Sequence, residues 1–525
     1  MASIRNLRGK ALERAFTCTV ILPSYILYGY NHAVAGGLLS LPSWVATFPE
    51  MDTVNTSGET KLSNSKIQGT VIAIYTLGCF LGSLNCIWVG DRLGRRLTMV
   101  LGAALNVVGS ILQCTAFGVP QLAIGRLVTG FGFGHITATA PNLQAELCQA
   151  EHRGAAVLLE GVFISLGLAL AAWIDLAMSY TPSSVSWRLP LGLSILLAAI
   201  VMITTPLMPE SPRWLVKKGR LTDARLVISA LQNTDKDSVE VVNAIQDVSD
   251  SLAVTSQGKF TDIWSNSSSQ RLLHRTVLAC LLQVFHQISG VNALALYQAV
   301  IFQERLGLSG VNSRILAGAV FTFQFLLSPT GVFTVDRFGR RKLMMFSAIG
   351  MGICLSTMAG TMAVSHSMAA TAIAITAIFM FSFFFPIGFL GIPFLYAAEL
   401  APLSHRVYIT SMSTATAWLL NFAIAEVTPM AFASLGYRYA IVYAVANFFV
   451  ILPCVYFLFP ETMGKRLEEI DELFSSSSSV LTFTKHHVSA HHDDESGTGH
   501  SGSDKRGVSG TDHSTDDSHS GSDCN

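Results

Sequence analysis

Apolar stretches about 20 residues long, enough for an α-helix to cross about 30 Å of hydrocarbon, recur along the whole of this chain. Twelve can be counted: 17–40, 67–89, 97–117, 120–142, 156–178, 189–208, 277–301, 314–335, 343–364, 370–396, 408–431 and 438–459. Each run is continuously apolar rather than alternating, so its backbone groups must be satisfied inside a helix and not in the ladder of a barrel. Only 13% of the 525 residues are charged, about half the share of an ordinary soluble domain. The fold class expected is therefore an all-α membrane protein with twelve transmembrane helices.

Formal net charge is zero, and the placement of the charges says more than their sum. Arg5, Arg8, Lys10 and Arg14 precede the first span; Arg92, Arg95 and Arg96 follow the second; Arg153 follows the fourth; Arg337, Arg340, Arg341 and Lys342 follow the eighth. The alternate loops are nearly bare of Lys and Arg. Positive loops stay on the cytoplasmic side, so both termini and the long central connector are expected there, in a multi-pass protein of the plasma membrane. The basic start and the small residues Ala33 to Ala35 resemble a cleavable secretory signal only in outline, because the apolar run continues past them.

The two groups of six spans repeat one another. Gly90-Asp91-Arg92-Leu93-Gly94-Arg95-Arg96 after span two answers Asp336-Arg337-Phe338-Gly339-Arg340-Arg341 after span eight. Glu146 and Arg153 answer Glu399 and Arg406, and Pro209-Glu210-Ser211-Pro212-Arg213 answers Pro460-Glu461-Thr462-Met463-Gly464. The offsets, Asp91 to Asp336, Glu146 to Glu399 and Glu210 to Glu461, are 245, 253 and 251 residues. Two like-oriented six-helix halves around a central site is the geometry of alternating-access carriers. The expected organisation is a tail 1–16, a first bundle 17–208, a connector of short helices 209–276, a second bundle 277–459, a closing motif 460–474 and a polar tail 475–525. That last segment is rich in Ser, Gly, His and Asp and is expected to be disordered. Its His486, His487, His491 and His492 are read as a solvated tail before a metal site. Asn55, in the sequon of the first outer loop, is a glycosylation candidate.

These motifs, with His286-Gln287-Ile288-Ser289-Gly290-Val291-Asn292, taken as a set and in this order, resemble the sugar porter family of the major facilitator superfamily over residues 20–475. Trp173-Ile174-Asp175 and the stretch 388–399 are similar to its fungal hexose and pentose branch. The resemblance implies the major facilitator fold, with a sugar site midway across the membrane lined mostly by the second half. Gln287 and Asn292 match the family's sugar-binding amides, and an amide offers a hydroxyl both donor and acceptor. Their five-residue spacing alone sets them on neighbouring faces, and a Gln in a spanning helix is otherwise commonly helix–helix glue. Phe394, Trp418 and Asn421 match positions where rings and an amide meet the ligand, and Phe394 by itself reads equally well as packing. Gln324 stands where the family commonly has Asn, and His286 replaces the first amide of the span-seven pair. Gly161, Leu296, Pro386 and Ala417 are further departures, so the preferred sugar is left open.

The duplicated charges Asp91, Arg95, Arg96, Glu146, Arg153 and Glu210, with Asp336, Arg340, Arg341, Glu399, Arg406 and Glu461, are expected to form a cytoplasmic gate network that holds the halves together in one state and parts in another. Proton-driven relatives carry Asp in a Gly-Tyr-Asp motif near a Gly-Arg pair; this chain keeps Gly125-Arg126 but reads Gly29-Tyr30-Asn31-His32. An amide takes up no proton at physiological pH, so facilitated diffusion of a neutral monosaccharide is expected. Proton symport and a transporter-like sensor are the alternatives. Glu160 and Glu426 are the substitute intramembrane acids, and Glu160 is expected first of all to pair with Arg126. His286 is a candidate for pH sensitivity. No cofactor, metal, nucleic acid or enzymatic chemistry is expected, and the functional unit is expected to be a monomer.

Overall fold

The computed structural model describes residues 7–147, 153–256, 259–266, 270–364, 367–402, 404–465, 469–470 and 474, with the side chains of 87, 153–158, 254–256 and 304–305 outside the description. The described residues are almost entirely helical. The first half holds span one (Gly9–Phe16, a π turn Thr17–Ile21, then Leu22–Leu38), span two Gly58–Leu93, span three Arg95–Cys114, span four Val119–Leu147, span five Arg153–Ser179 and span six Val185–Thr204. Short helices Pro212–Lys217, Leu221–Gln232 and Val239–Ser256 follow as the linker. The second half holds span seven (Leu272–Ile288 and Val291–Val300), span eight (Gly310–Leu327 and Pro329–Phe338), span nine Arg340–Met362, span ten (Met368–Phe385, Pro386–Leu390 and Ile392–Leu400), span eleven Arg406–Leu435 and span twelve Arg438–Leu458.

Ten of the twelve are long and apolar enough to cross a membrane by length and composition alone. The exceptions, spans one and four, lie inside the molecule, where protein replaces lipid as the solvent. Span one is interrupted by its π turn, and span four carries Arg126, His135 and a run of Gly and Thr. Small residues there let backbones approach closely, which is how helices associate without a hydrophobic drive between them. Gly130 and Gly134 lie against the carbonyls of Tyr75 and Cys79 in span two, and Gly132 against that of Gly102 in span three. His135 is fully buried among them, its Nδ1 2.8 Å from Phe131 O and its Nε2 3.1 Å from Asn85 Nδ2, a packing role as its neighbours suggest.

The halves meet along two seams, span five against span eight and span two against span eleven. Helix Gly9–Phe16 packs on the linker helix Leu221–Gln232, and Phe474 stacks under Arg275 at the start of span seven, so both ends of the described chain share one face with the linker. That face is called the linker face below, and its opposite the far face.

Candidate functional site

Span seven is broken at Ser289–Gly290, where Gly290 has φ +99°, a conformation that glycine adopts without a Cβ penalty. Residues five apart on an unbroken helix point about 140° away from one another. The break swings the second segment round, and Asn292 Nδ2 donates to Gln287 Oε1. Asn292 Oδ1 lies 3.2 Å from His32 Nε2 in span one. A polar chain, Gln287–Asn292–His32, thus crosses from the second half to the first, with all three residues buried. His286, half-buried, has its ring 5.6 Å from Phe385 and stands edge-on to Phe394 at 6.3 Å.

Tyr28, one turn before His32, extends the cluster. Its ring centroid is 6.1 Å from His32, 5.2 Å from Phe133 and 5.5 Å from Trp418 of span eleven. Asn421, one turn beyond Trp418, is buried with its Oδ1 unpartnered; so are His32 Nδ1, His286 Nδ1 and Asn31 Nδ2. A buried polar group without a partner costs about 1–3 kcal/mol. Four of them on the helices that surround the Gln287–Asn292 pair make a place suited to a polar guest. Of the expected ligand-binding residues, Gln287, Asn292 and Trp418 are linked through His32 and Tyr28, Asn421 lies one turn from Trp418, and His286 meets Phe394 beside Gln287. Gln324 is held apart, donating to Ser165 Oγ at 3.3 Å across the five–eight seam. At Gly161 the Leu390 side chain fills the space a larger residue would need. His32 and Tyr28 carry the connection, and neither stands out in the sequence; the only local signal is their four-residue spacing on the face that also bears the amide motif's partner.

The coupling candidates part company. Arg126 donates from Nη2 to Ile72 O at 3.1 Å and lies 5.3 Å from the Tyr75 ring. Glu160 faces Tyr25 of span one, and the expected Glu160–Arg126 pair does not form. The reason is depth. Arg126 lies seven residues from the far-face end of span four and Glu160 seven from the linker-face end of span five, so each sits about 10 Å in from opposite faces at 1.5 Å per residue. Asn31 is buried with its Nδ2 unpartnered and makes no hydrogen bond to Arg126. Glu426 instead accepts from Thr70 Oγ1 of span two at 2.7 Å.

The duplicated charges form two copies of one device. Glu210 accepts from the backbone N–H groups of Arg95 and Arg96, capping span three, at 3.1 and 3.2 Å. Glu461 does the same for Arg340 and Arg341 at the start of span nine, at 2.9 and 3.1 Å. A carboxylate there satisfies orphan N–H groups and meets the positive end of the helix dipole. Arg95 pairs with Asp91 at 3.5 Å, and Arg340 with Asp336 at 3.1 Å and Glu399 at 2.9 Å. Ser211 donates to Glu146, Thr462 to Glu399 at 2.6 Å, and Arg96 reaches Met208 O. Burial works against the Asp91 charge, but Lys217 at 2.7 Å and Arg95 outweigh it and hold the carboxyl below its usual range. Arg406 opens span eleven, half-buried, while the Arg153 side chain lies outside the described residues. This conformation shows one arrangement of the network, in which, among the described residues, the halves are not joined through it. Among the described residues its bonds stay within one half or reach the linker, because each Glu caps a helix of its own bundle.

Asn55 is exposed in the far-face loop between spans one and two, in a turn closed on Asp52; its Nδ2 donates to Asp52 Oδ2 at 3.1 Å.

Comparison with known proteins agrees with this architecture. The model of the family described as Sugar (and other) transporter matches residues 16–474. Sugar transporter STL1 of Saccharomyces cerevisiae is 32% identical over 478 residues, covering 90% of this chain and 83% of its own. MFS-type transporter oryC of Aspergillus oryzae is 32% identical over 464 residues, with 87% and 84% covered. High-affinity glucose transporter 1 of Candida albicans is 30% identical over 434 residues, 78% of each chain. The xylose transporter XylE from E. coli, in a partially occluded inward open conformation, superposes with TM-score 0.72 at 20% identity, covering 86% of this chain and 99% of that one. At that identity the likeness concerns the fold, which is the twelve-helix major facilitator fold. With the family model spanning all twelve helices, the chain belongs to the Sugar (and other) transporter family, as a major facilitator sugar porter with fungal relatives, and is a membrane transporter rather than an enzyme.

Proposed function

We propose that this protein moves a neutral monosaccharide, a hexose or a pentose, across the plasma membrane by alternating access, as a monomer with its linker face in the cytoplasm. The observation that carries the reading is the Gln287–Asn292–His32 chain. An amide pair and an imidazole, drawn from both halves and buried at mid-depth, offer donors and acceptors to hydroxyl groups, while the Tyr28 and Trp418 rings offer flat faces to C–H bonds. Arg126 directs Nη2 to Ile72 O and makes no hydrogen bond to the Gln287–Asn292–His32 chain, which supports an uncharged cargo.

Facilitated diffusion is the mode proposed. Asn31 stands where proton-driven members of the family have an acid, and the remaining acids in this half do not contact the amide chain. The alternative of proton symport for a sugar or polyol draws support from Glu160, whose Oε1 is buried without a hydrogen-bond partner on the linker side of the site. Glycosylation is proposed at Asn55, whose exposure suits it. Uptake of labelled hexoses, pentoses and polyols in cells lacking their own carriers, read alongside membrane current, tests the reading. Saturable uptake without inward current is expected. Sugar-evoked inward current would establish symport instead, and binding without accumulation would establish a sensor.

A further inference from the structure

Near the far face, where span five meets spans one, seven and eight, lies an acid that the transport site does not use. Asp175 is 1% exposed, and neither carboxylate oxygen has a hydrogen-bond donor. It borders a small cavity of about 20 Å³ together with Gln298 of span seven, whose Oε1 is also buried and unpartnered, and Arg314 of span eight. The guanidinium relieves it only from a distance. Arg314 donates to Gly310 O of its own helix at 3.1 Å and, across the halves, to Gly37 O at 3.3 Å and Ser40 Oγ at 2.8 Å, and makes no ion pair with Asp175. From span one, Gly37 packs directly on the carboxylate, where a Cβ would come within 2.2 Å of Oδ2. The remaining titratable neighbour, Tyr30 of span one, gives its proton to Pro190 O at 2.7 Å.

Asp175 and Gln298 thus present acceptors to one shared space that receives no protein donor. One added hydrogen resolves the mismatch: a neutral Asp175 donates to Gln298 Oε1, directly or through a water, for which a space of about 10–15 Å³ suffices. A bare carboxylate in the same dry place has lost its hydration and gained no partner, which is strongly unfavourable. We propose that Asp175 is a proton-binding site of the far-face gate, protonated while spans one, five, seven and eight are closed around it and deprotonated when they part and water reaches it. Because the site lies on the far side of the Gln287–Asn292–His32 chain, the proton leaves and returns at the same face. No net proton transfer accompanies the cargo, so the site is compatible with facilitated diffusion and does not depend on the cargo being a sugar.

The internal repeat supplies a contrast. Glu426 follows Asp175 by 251 positions, the offset that separates Glu210 from Glu461, and it occupies the equivalent seam between spans eleven and two. There the acid has a donor, Thr70 Oγ1 at 2.7 Å, on an exposed residue. Glu426 thus has one protein donor, on Oε1, whereas Asp175 has none on either oxygen.

The test reads gate opening without sugar. Ala299→Cys places a thiol on the cavity wall, and its labelling from the far side by a membrane-impermeant maleimide is followed from pH 5 to pH 8. Dividing by the rate at Ser184→Cys, an exposed far-face position, removes the thiol's own titration, and the parent protein gives the background from native cysteines. The normalised rate is expected to rise about tenfold with pH. Asp175→Asn, a permanent mimic of the protonated acid, is expected to hold it low at every pH, and Asp175→Glu to keep the rise. A flat profile with Asp175 present, or an undiminished rise in Asp175→Asn, overturns the proposal. Should the Asn variant fail to reach the membrane, Gln298→Ala serves: loss of the acceptor is expected to speed labelling at pH 5, and an unchanged profile overturns the proposal. A pH-dependent gate in a protein that accumulates no sugar would sink the cargo assignment and leave this site standing.

Discussion

The linker face carries the ion pairs Asp91–Arg95, Asp91–Lys217, Asp336–Arg340 and Arg340–Glu399, and the far face is wired differently. On the linker face, Glu210 and Glu461 tie each half to itself, capping spans three and nine from the ends of spans six and twelve. On the far face, Arg314 reaches from span eight to Gly37 and Ser40 of span one, and Glu426 takes a hydrogen bond from Thr70 of span two. One face is stitched within the halves and the other across them. Bonds inside a half survive a rocking motion, whereas bonds between halves must break for it. The molecule as it stands is therefore held shut at the far face, while each half is braced as a rigid body at the linker face.

The largest effect is expected at the hinge between those two regimes. Asn292→Ala removes both links of the Gln287–Asn292–His32 chain, and uptake is expected to fall at least about tenfold, the equivalent of about 1.4 kcal/mol, with surface expression intact. Unchanged uptake would remove Asn292 from the site. Next comes Arg314→Ala, which deletes two bonds across the halves. Charged hydrogen bonds contribute about 1.5–3 kcal/mol each, so maleimide labelling from the far side is expected to rise by an order of magnitude or more; no rise would mean that the far face is held by packing alone.

A smaller change of another kind is expected from Glu461→Ala. Loss of a helix cap costs about 1–2 kcal/mol, so thermal unfolding in detergent should occur several degrees lower while the KM for cargo barely moves. A large KM change with unchanged stability would show that the cap acts between halves after all. Thr70→Val, which removes one neutral donor from the far seam, should cost about 1 kcal/mol and raise far-side labelling only a few-fold.

The weakest element of the comparison is Asp91 with Lys217, half-exposed and screened by solvent. Its folded carboxyl is held below the usual range, so the tie between linker and first half is complete above about pH 4. It should be lost as acid protonates Asp91, and faster amide exchange in residues 212–217 below that pH would register the loss. Exchange that is insensitive to acid would show that other contacts hold this linker helix.

Much of this was legible in the order of residues, because membrane crossing imposes a length and an apolarity that show in any window of sequence. The twelve spans and the two like halves follow from that, as do the matched loop charges, and the capping glutamates were found by their offset of 251 residues. Function at the level of a carrier also followed, since the motifs keep a fixed order. What those motifs do was less legible. Glu210 and Glu461 look like gate charges when read beside the arginines, but they bond the arginines' backbone, not their guanidinium groups. Glu160 and Arg126 looked like a pair because each is a charge set in an apolar helix; their opposite depths keep them apart.

Span count, pseudo-repeat and fold class are local or periodic properties, and solvent transfer alone suffices to write them into composition and spacing. Which side chains meet is not of that kind. His32 reaches Asn292 because a glycine break turns span seven, and Asp175 lies unpaired because Arg314 is drawn away to Gly37 and Ser40. Those outcomes depend on angles and depths between helices far apart in the chain, which packing of the whole bundle settles and no single segment encodes.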